Sequence, residues 1–290
     1  MWVSRSGTEQ PLPAPLREYG APRLSPDARR LAVVVAEQVW LYDLSRATLS
    51  RFTFEGDQNL FPVWRPDGKR IAFWSAKEGP QNIFWQLADG SGGLERLTTS
   101  QDAQAPTSWS PDGQLLAFVE VNPNKRFEIW VLRMGDHKAQ PFLQTRFNEA
   151  GPRFSPDGRW LAYNSDESGR YEVYVQPYPG PGGKWQISTE GGTEPVWNPN
   201  GRELFYRSED KIMAVDIATQ PGFAAGRPRK LFEGRYVETP NPSTTYYDVS
   251  PDGQRFLMIK ESEQNSSATQ INVVLNWFEE LKRKAPTGKK

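Results

Sequence analysis

The sequence predicts an all-β fold: a six-bladed β-propeller of four-stranded antiparallel blades, with the last blade closed by N- and C-terminal strands. Three observations carry this. A turn signature built on Pro-Asp-Gly recurs six times at a spacing that suits one propeller blade. An apolar strand core starts at a constant offset after each turn. The two chain ends each look like part of a blade.

The signature reads Leu24-Ser25-Pro26-Asp27-Ala28, Trp64-Arg65-Pro66-Asp67-Gly68, Trp109-Ser110-Pro111-Asp112-Gly113, Phe154-Ser155-Pro156-Asp157-Gly158, Trp197-Asn198-Pro199-Asn200-Gly201 and Val249-Ser250-Pro251-Asp252-Gly253. Successive prolines are 40, 45, 45, 43 and 52 residues apart. Proline presets φ, aspartate accepts bonds from nearby amides, and glycine takes the left-handed conformation that turns the chain. Ala28 stands where the others carry glycine, so the first turn is either strained or of another geometry. Asn200 for aspartate is conservative. The long last interval carries an extra Pro240-Asn241-Pro242 loop.

Five residues after each proline comes the second strand: Leu31-Ala32-Val33, Ile71-Ala72-Phe73, Leu116-Ala117-Phe118, Leu161-Ala162-Tyr163, Leu204-Phe205-Tyr206 and Phe256-Leu257-Met258. Third strands follow at Val39-Trp40-Leu41, Ile83-Phe84-Trp85, Ile129-Trp130-Val131, Val173-Tyr174-Val175 and Ile212-Met213-Ala214. Outer strands carry Arg51-Phe52-Thr53, Arg96-Leu97-Thr98, Pro141-Phe142-Leu143, Gln186-Ile187-Ser188 and Lys230-Leu231-Phe232. Small alanines beside large aromatics let one blade nest on the next, so the repeat-aligned Trp and Phe read as inter-blade core.

Trp2 to Gly7, followed by Gln10-Pro11-Leu12, looks like the outer half of a blade without its inner half. The sixth repeat supplies inner strands around Tyr247-Asp248-Val249 and Phe256 to Ile259, and Ile271 to Trp277 reads as one further strand. Joining the ends removes exposed strand edges. The reading places the propeller at 1–284, with at most a short helix over Phe278 to Lys284, and leaves 285–290 as a loose basic tail.

Composition narrows the function classes. The 290 residues are 37% apolar and 12% aromatic, enough for a sizeable core. The 24 glycines and 25 prolines are too many for a helical bundle. Thirty-five Lys and Arg balance thirty-five Asp and Glu, so no global field favours nucleic acid or an anionic membrane. No apolar run approaches the roughly 18 residues of a membrane span, and Met1 to Arg5 does not read as a signal peptide. With no cysteine, disulfides, thiol catalysis and Cys-based metal sites are excluded. The single histidine, His137 in Gly135-Asp136-His137-Lys138, excludes His-pair metal sites and falls in a peripheral turn. A Gly-x-Ser-x-Gly elbow is absent, and Pro179 to Lys184 lacks phosphate-loop spacing.

The Ser-Pro-Asp-Gly-x-x-[Leu/Ile]-Ala-[Phe/Tyr] units resemble the Trp-Asp-like repeats of TolB-type six-bladed propellers over nearly the whole chain. Trp2 to Gly7 and Asn272 to Leu281 further resemble the C-terminal propeller of bacterial membrane-anchored serine/threonine kinases. That resemblance implies an extracytoplasmic sensor or interaction domain. The kinase domain and membrane helix of that family are absent from this sequence.

Candidate site residues line the channel. Those five to nine before each proline should ring one mouth: Glu18 and Tyr19, Asp57 and Asn59, Asp102 and Gln104, Asn148 and Glu149, Thr193 and Glu194, and Tyr246. This ring either binds a cation such as calcium, a basic peptide or a small polyol, or merely keeps the mouth soluble. Arg23, Arg153 and Asp248, each three before a proline, are expected to form a deeper charge cluster, either an internal ion pair or an anion anchor. The leading expectation is a monomeric, non-catalytic binding or scaffold module without a cofactor, whose partner is a protein, a peptide or a small polar ligand. The alternative is a metal-dependent hydrolase or lactonase using Glu149, Glu194, Asn59 and Asp248.

Overall fold

Each repeat folds as one antiparallel sheet. A computed structural model of the chain describes residues 1–122, 126–239 and 241–261. Blade one runs outward from the channel as Gly20–Leu24, Arg30–Val35, Gln38–Asp43 and Thr48–Arg51. Blades two to four repeat this order with inner strands Asn59–Trp64, Ala103–Trp109 and Glu149–Phe154. Blade five starts at Thr193–Trp197, and its third strand Lys211–Ala218 also pairs the short Ala224–Ala225.

Blade six is made from both ends of the described chain. Tyr247–Val249 and Arg255–Met258 form its inner half, while Trp2–Ser4 and Glu9–Gln10 form its outer half. Val3 sits opposite Phe256, and Met1 and Met258 exchange backbone bonds of 2.9 Å. Glu9–Gln10 is therefore the outermost strand. The expected strand at Ile271 to Trp277, the helix at Phe278 to Lys284 and the tail at 285–290 lie outside the described residues.

The turns explain why the signature recurs. In blade one the Ser25 hydroxyl donates to Asp27 Oδ1 at 2.6 Å and accepts the Arg30 N–H at 2.9 Å. Ser110, Ser155 and Ser250 repeat both bonds. Ala28 keeps the geometry of its glycine counterparts and is strained: its φ is 53°, against 68° at Gly68 and 72° at Gly158. The five glycine turns also lean on the blade before them: a Cβ at Gly158 would lie 3.2 Å from Pro111.

Between the blades lie six separate apolar cores, one per interface. Alternation along the second strand builds them. Ile71 and Phe73 face blade one with Trp64, Ala32 and Phe52, whereas Ala72 faces blade three with Trp109, Leu116 and Phe118. At the closing interfaces Trp2 and Leu257 pack on Leu31, Val33 and Tyr42, and Val3 and Phe256 pack on Phe205 and Phe232. Of the aromatics read as core, Trp64, Trp109, Phe154 and Trp197 are buried, while Trp40, Trp85 and Trp130 are partly buried against the cores.

Two outcomes follow. Ala28→Gly should raise stability by ~0.5–1 kcal/mol, because relief of the left-handed strain outweighs the added freedom of the unfolded chain. Trp2→Ala should cost about 3 kcal/mol, since it empties a buried position in the closing blade. Urea denaturation reads both. A loss at Ala28→Gly, or no loss at Trp2→Ala, would contradict this packing.

Candidate functional site

The inner strands are not regular. In five blades the pairing slips just before the turn, between Gly20 and Arg23, Leu60 and Val63, Pro106 and Ser108, Ala150 and Arg153, and Thr193 and Val196. Four of these bulges carry a left-handed residue five before the proline: Ala21 (φ 44°), Phe61 (54°), Gly151 (61°) and Glu194 (56°). Blade three has Pro106 there, whose ring holds φ negative, and its slip is one residue shorter.

The bulge carries this residue onto the second strand, eight residues after the proline. Phe61 stacks on Trp74 with centroids 5.3 Å apart. Glu194 Oε1 lies 2.9 Å from Arg207 Nε, an ion pair in which both side chains are almost fully buried. At Gly151 a Cβ would come within 2.8 Å of Asn164 Oδ1, so blade four has no room for a side chain.

The extra loop of the last interval turns into the channel. Ser243, Thr244 and Thr245 are buried. The backbone at Pro242 lies against Gly151 of blade four, and the Tyr246 hydroxyl lies against Gly20 of blade one. The Tyr246 N–H donates to Glu194 Oε2 of blade five at 2.5 Å. Thr245 joins opposite sides of the ring: its carbonyl accepts from Arg23 Nη1 at 2.9 Å, and its hydroxyl accepts from Arg153 Nη2 at 2.9 Å. A segment rooted in blade six that touches blades one, four and five lies across the channel.

The expected mouth ring is thus split. Glu194 and Tyr246 meet around this segment. Glu149 is buried against the Thr145 hydroxyl, and burial raises its carboxyl above the usual range. Asn59 donates to Gln38 Oε1 at 2.9 Å and to the Glu55 carbonyl at 2.8 Å, tying blade one's linker to blade two. Gln104 donates to Glu120 at 2.7 Å, and Asn148 donates to Asp166. The half-buried Tyr19 hydroxyl donates to the Pro15 carbonyl at 2.6 Å. Glu18 and Asp57 are exposed, and Asp102 and Thr193 are partly so.

The deeper cluster forms, but not as direct ion pairs. Asp248 Oδ2 accepts the Leu24 N–H at 2.8 Å, and Oδ1 accepts the Val249 N–H at 2.9 Å. Arg23 and Arg153 donate instead to backbone carbonyls and to Thr245. Arg207 and Thr245 escaped the sequence reading. The constant interval from Glu194 to Arg207, matched by Phe61 and Trp74, is the signal that could have found the first.

His137 is exposed in the turn after the third strand of blade three, with φ 53°. Among the described residues no three His, Asp or Glu side chains gather where they could hold a metal ion. No helix among them is long and apolar enough to cross a membrane.

The model of the TolB β-propeller domain matches residues 17–129 and 103–273. The chain belongs to this family. Its fold is similar to that of TolB from Agrobacterium tumefaciens, at TM-score 0.72 and 19% identity over 85% of this chain and 91% of that one. TolB from Acinetobacter baumannii gives 0.60 and 20% over 84% of this chain, which spans 64% of that one. An oligogalacturonate lyase in complex with manganese gives 0.60 and 14%, over 86% and 72%. At such identities the likenesses establish the fold alone. No curated protein sequence matches the chain.

The turns offer a clean electrostatic test. Hydrogen bonds from Ser25, Ser110 and Ser250 hold Asp27, Asp112 and Asp252 below the usual carboxylate range. A depressed carboxyl adds stability that is present above its unfolded value and lost as pH falls through its folded one. Ser110→Ala should therefore raise the Asp112 pKa in carbon-detected NMR. The stability gap to wild type should shrink as pH drops below about 4, the ordinary value. An unmoved Asp112 would sink this reading.

Proposed function

We propose that this chain is a non-catalytic protein-interaction propeller that recognises its partner on the face formed by the inter-blade linkers. The observation that carries the reading is an asymmetry between the two faces. One face is ringed by six turns of nearly the same chemistry. The other carries linkers that differ in length and sequence, as recognition loops on a rigid scaffold do. On that face stand Leu16, 74% exposed, and Phe54, 73% exposed, the large apolar side chains left open among the described residues. The sequence reading missed both, although each is an apolar residue outside the strand periodicity.

Arginine flanks these positions. Arg51 lies over the Phe54 ring at 5.4 Å, and Arg17 over Trp40 at 5.7 Å. The fitting partner is a protein segment with an apolar anchor and acidic neighbours. The propeller would act as a monomer without a cofactor. Its placement on the extracytoplasmic side of a bacterial membrane, attached to a kinase as its sensor, is part of the same proposal and follows from the family resemblance. The hydrolase alternative gains no support from Glu149, Glu194, Asn59 and Asp248, which spend side-chain oxygens or amides on internal bonds.

Peptides selected from a random display library on the purified chain should lose at least tenfold in affinity to the double variant Leu16→Asp, Phe54→Asp, with the melting temperature unchanged. Peptides indifferent to both substitutions would overturn the choice of face. Calcium and chelator should leave the melt where it is. A chelator-sensitive melt would favour a channel cation and the hydrolase.

A further inference from the structure

Two arginines lie in the channel, Arg23 buried and Arg153 partly buried, with no carboxylate among the described residues bonded to either. Arg23, on blade one and 7% exposed, donates from Nη1 to the Pro22 carbonyl at 2.7 Å and the Thr245 carbonyl at 2.9 Å. Arg153, on the opposing blade four, donates to the Thr107 carbonyl at 2.8 Å and the Thr245 hydroxyl at 2.9 Å. Each Nε is buried without a hydrogen-bond partner among the described residues. An unpaired buried N–H on a charged group is costly.

The charges facing these arginines can be named. They are Asp248 and Glu194, with the Tyr247 hydroxyl buried beside them. Glu194 is committed to Arg207 and to the Tyr246 N–H. Asp248 is turned to the backbone amides of Leu24 and Val249. Glu194 is shared with Arg207 and also faces Glu238, and Asp248 is the other carboxylate beside the pair. Burial, and then the charge of Arg153, draws the Arg23 guanidinium down to about 9.

We propose that the channel between Arg23 and Arg153 is a binding site for a carboxylate. The planar forks suit a carboxylate, and neither guanidinium bonds Glu194 or Asp248, the carboxylates that face it. The bonds to Pro22, Thr107 and Thr245 hold both guanidinium groups in place and leave each Nε without a partner among the described residues. The site opens toward the Pro-Asp-Gly turns, where Arg153 and Asp248 keep partial exposure, because the segment 241–246 lies across the other end. It is independent of the linker face, and either reading can fail without the other.

The carboxylate could be that of a small organic acid or a peptide C-terminus, and the experiment separates them. Calorimetry and thermal melting at fixed ionic strength would use sodium acetate, a tripeptide with a free C-terminus and the same tripeptide amidated. Acetate should raise the melt saturably. The free-acid tripeptide binding more tightly than acetate would assign a peptide terminus, and acetate alone a small acid. Arg153→Gln should weaken binding at least tenfold, and Asp248→Asn should tighten it. Should Arg153→Gln not fold, Arg153→Lys, which keeps the charge and loses the fork, should still weaken binding severalfold. No saturable effect of acetate or free-acid peptide, equal binding of the amidated peptide, or unchanged affinity in the Arg153 variant that folds would each overturn the proposal.

Discussion

The pairing of Trp2–Ser4 with Arg255–Met258 is the contact on which the rest depends. A blade buries both faces only if it has a neighbour on each side. Five blades are continuous in sequence, and each finds its neighbours by short linkers. The sixth exists only when the first strands of the chain cross to its last repeat. That single ladder supplies the far wall for the cores at Phe205 and at Leu31. On its other edge Arg255–Met258 pairs Tyr247–Val249, which places Tyr247 and Asp248 at the channel. Without it two apolar faces meet water, and the channel loses one side.

Closure in turn sets what the channel can do. The six inner strands bring groups from distant positions in sequence to one axis. The segment 241–246 lies across one end of it, held by Glu194, Arg23 and Arg153. Polar side chains that looked like a binding ring are largely spent on ordering the linkers: Asn59, Gln104 and Glu149 each bond within or between blades. Among the described residues, the buried polar atoms left without a hydrogen-bond partner include Nε of Arg23 and of Arg153.

Much of the fold was legible because its chemistry is local. The Ser-Pro-Asp-Gly turn is fixed by bonds spanning five residues, so it repeats wherever those residues repeat. The alternation of Ile71, Ala72 and Phe73 declares two buried faces and hence two neighbours. Even the split blade could be read from two incomplete ends. The bulges could not, because Phe61 and Glu194 adopt a positive φ that neither residue type announces. The crossing segment was visible only as an interval of 52 residues. Length shows that an insertion exists, while its direction depends on Gly151, Gly20 and Glu194, which lie on three other blades. Arg23, Arg153 and Asp248 shared an offset and were found together, but their partners are backbone groups that no residue pattern encodes.

Native-state hydrogen exchange at the Met258 amide, whose bond runs to the Met1 carbonyl, tests the closure most directly. If the two chain ends lock the ring, this amide exchanges only through global unfolding. Its protection then equals that of Phe118 and Leu161 in the central blades, and falls with theirs in denaturant. Exchange of Met258 at markedly lower free energy, with those cores still protected, would mean that the sixth blade opens by itself and that the other five stand without it.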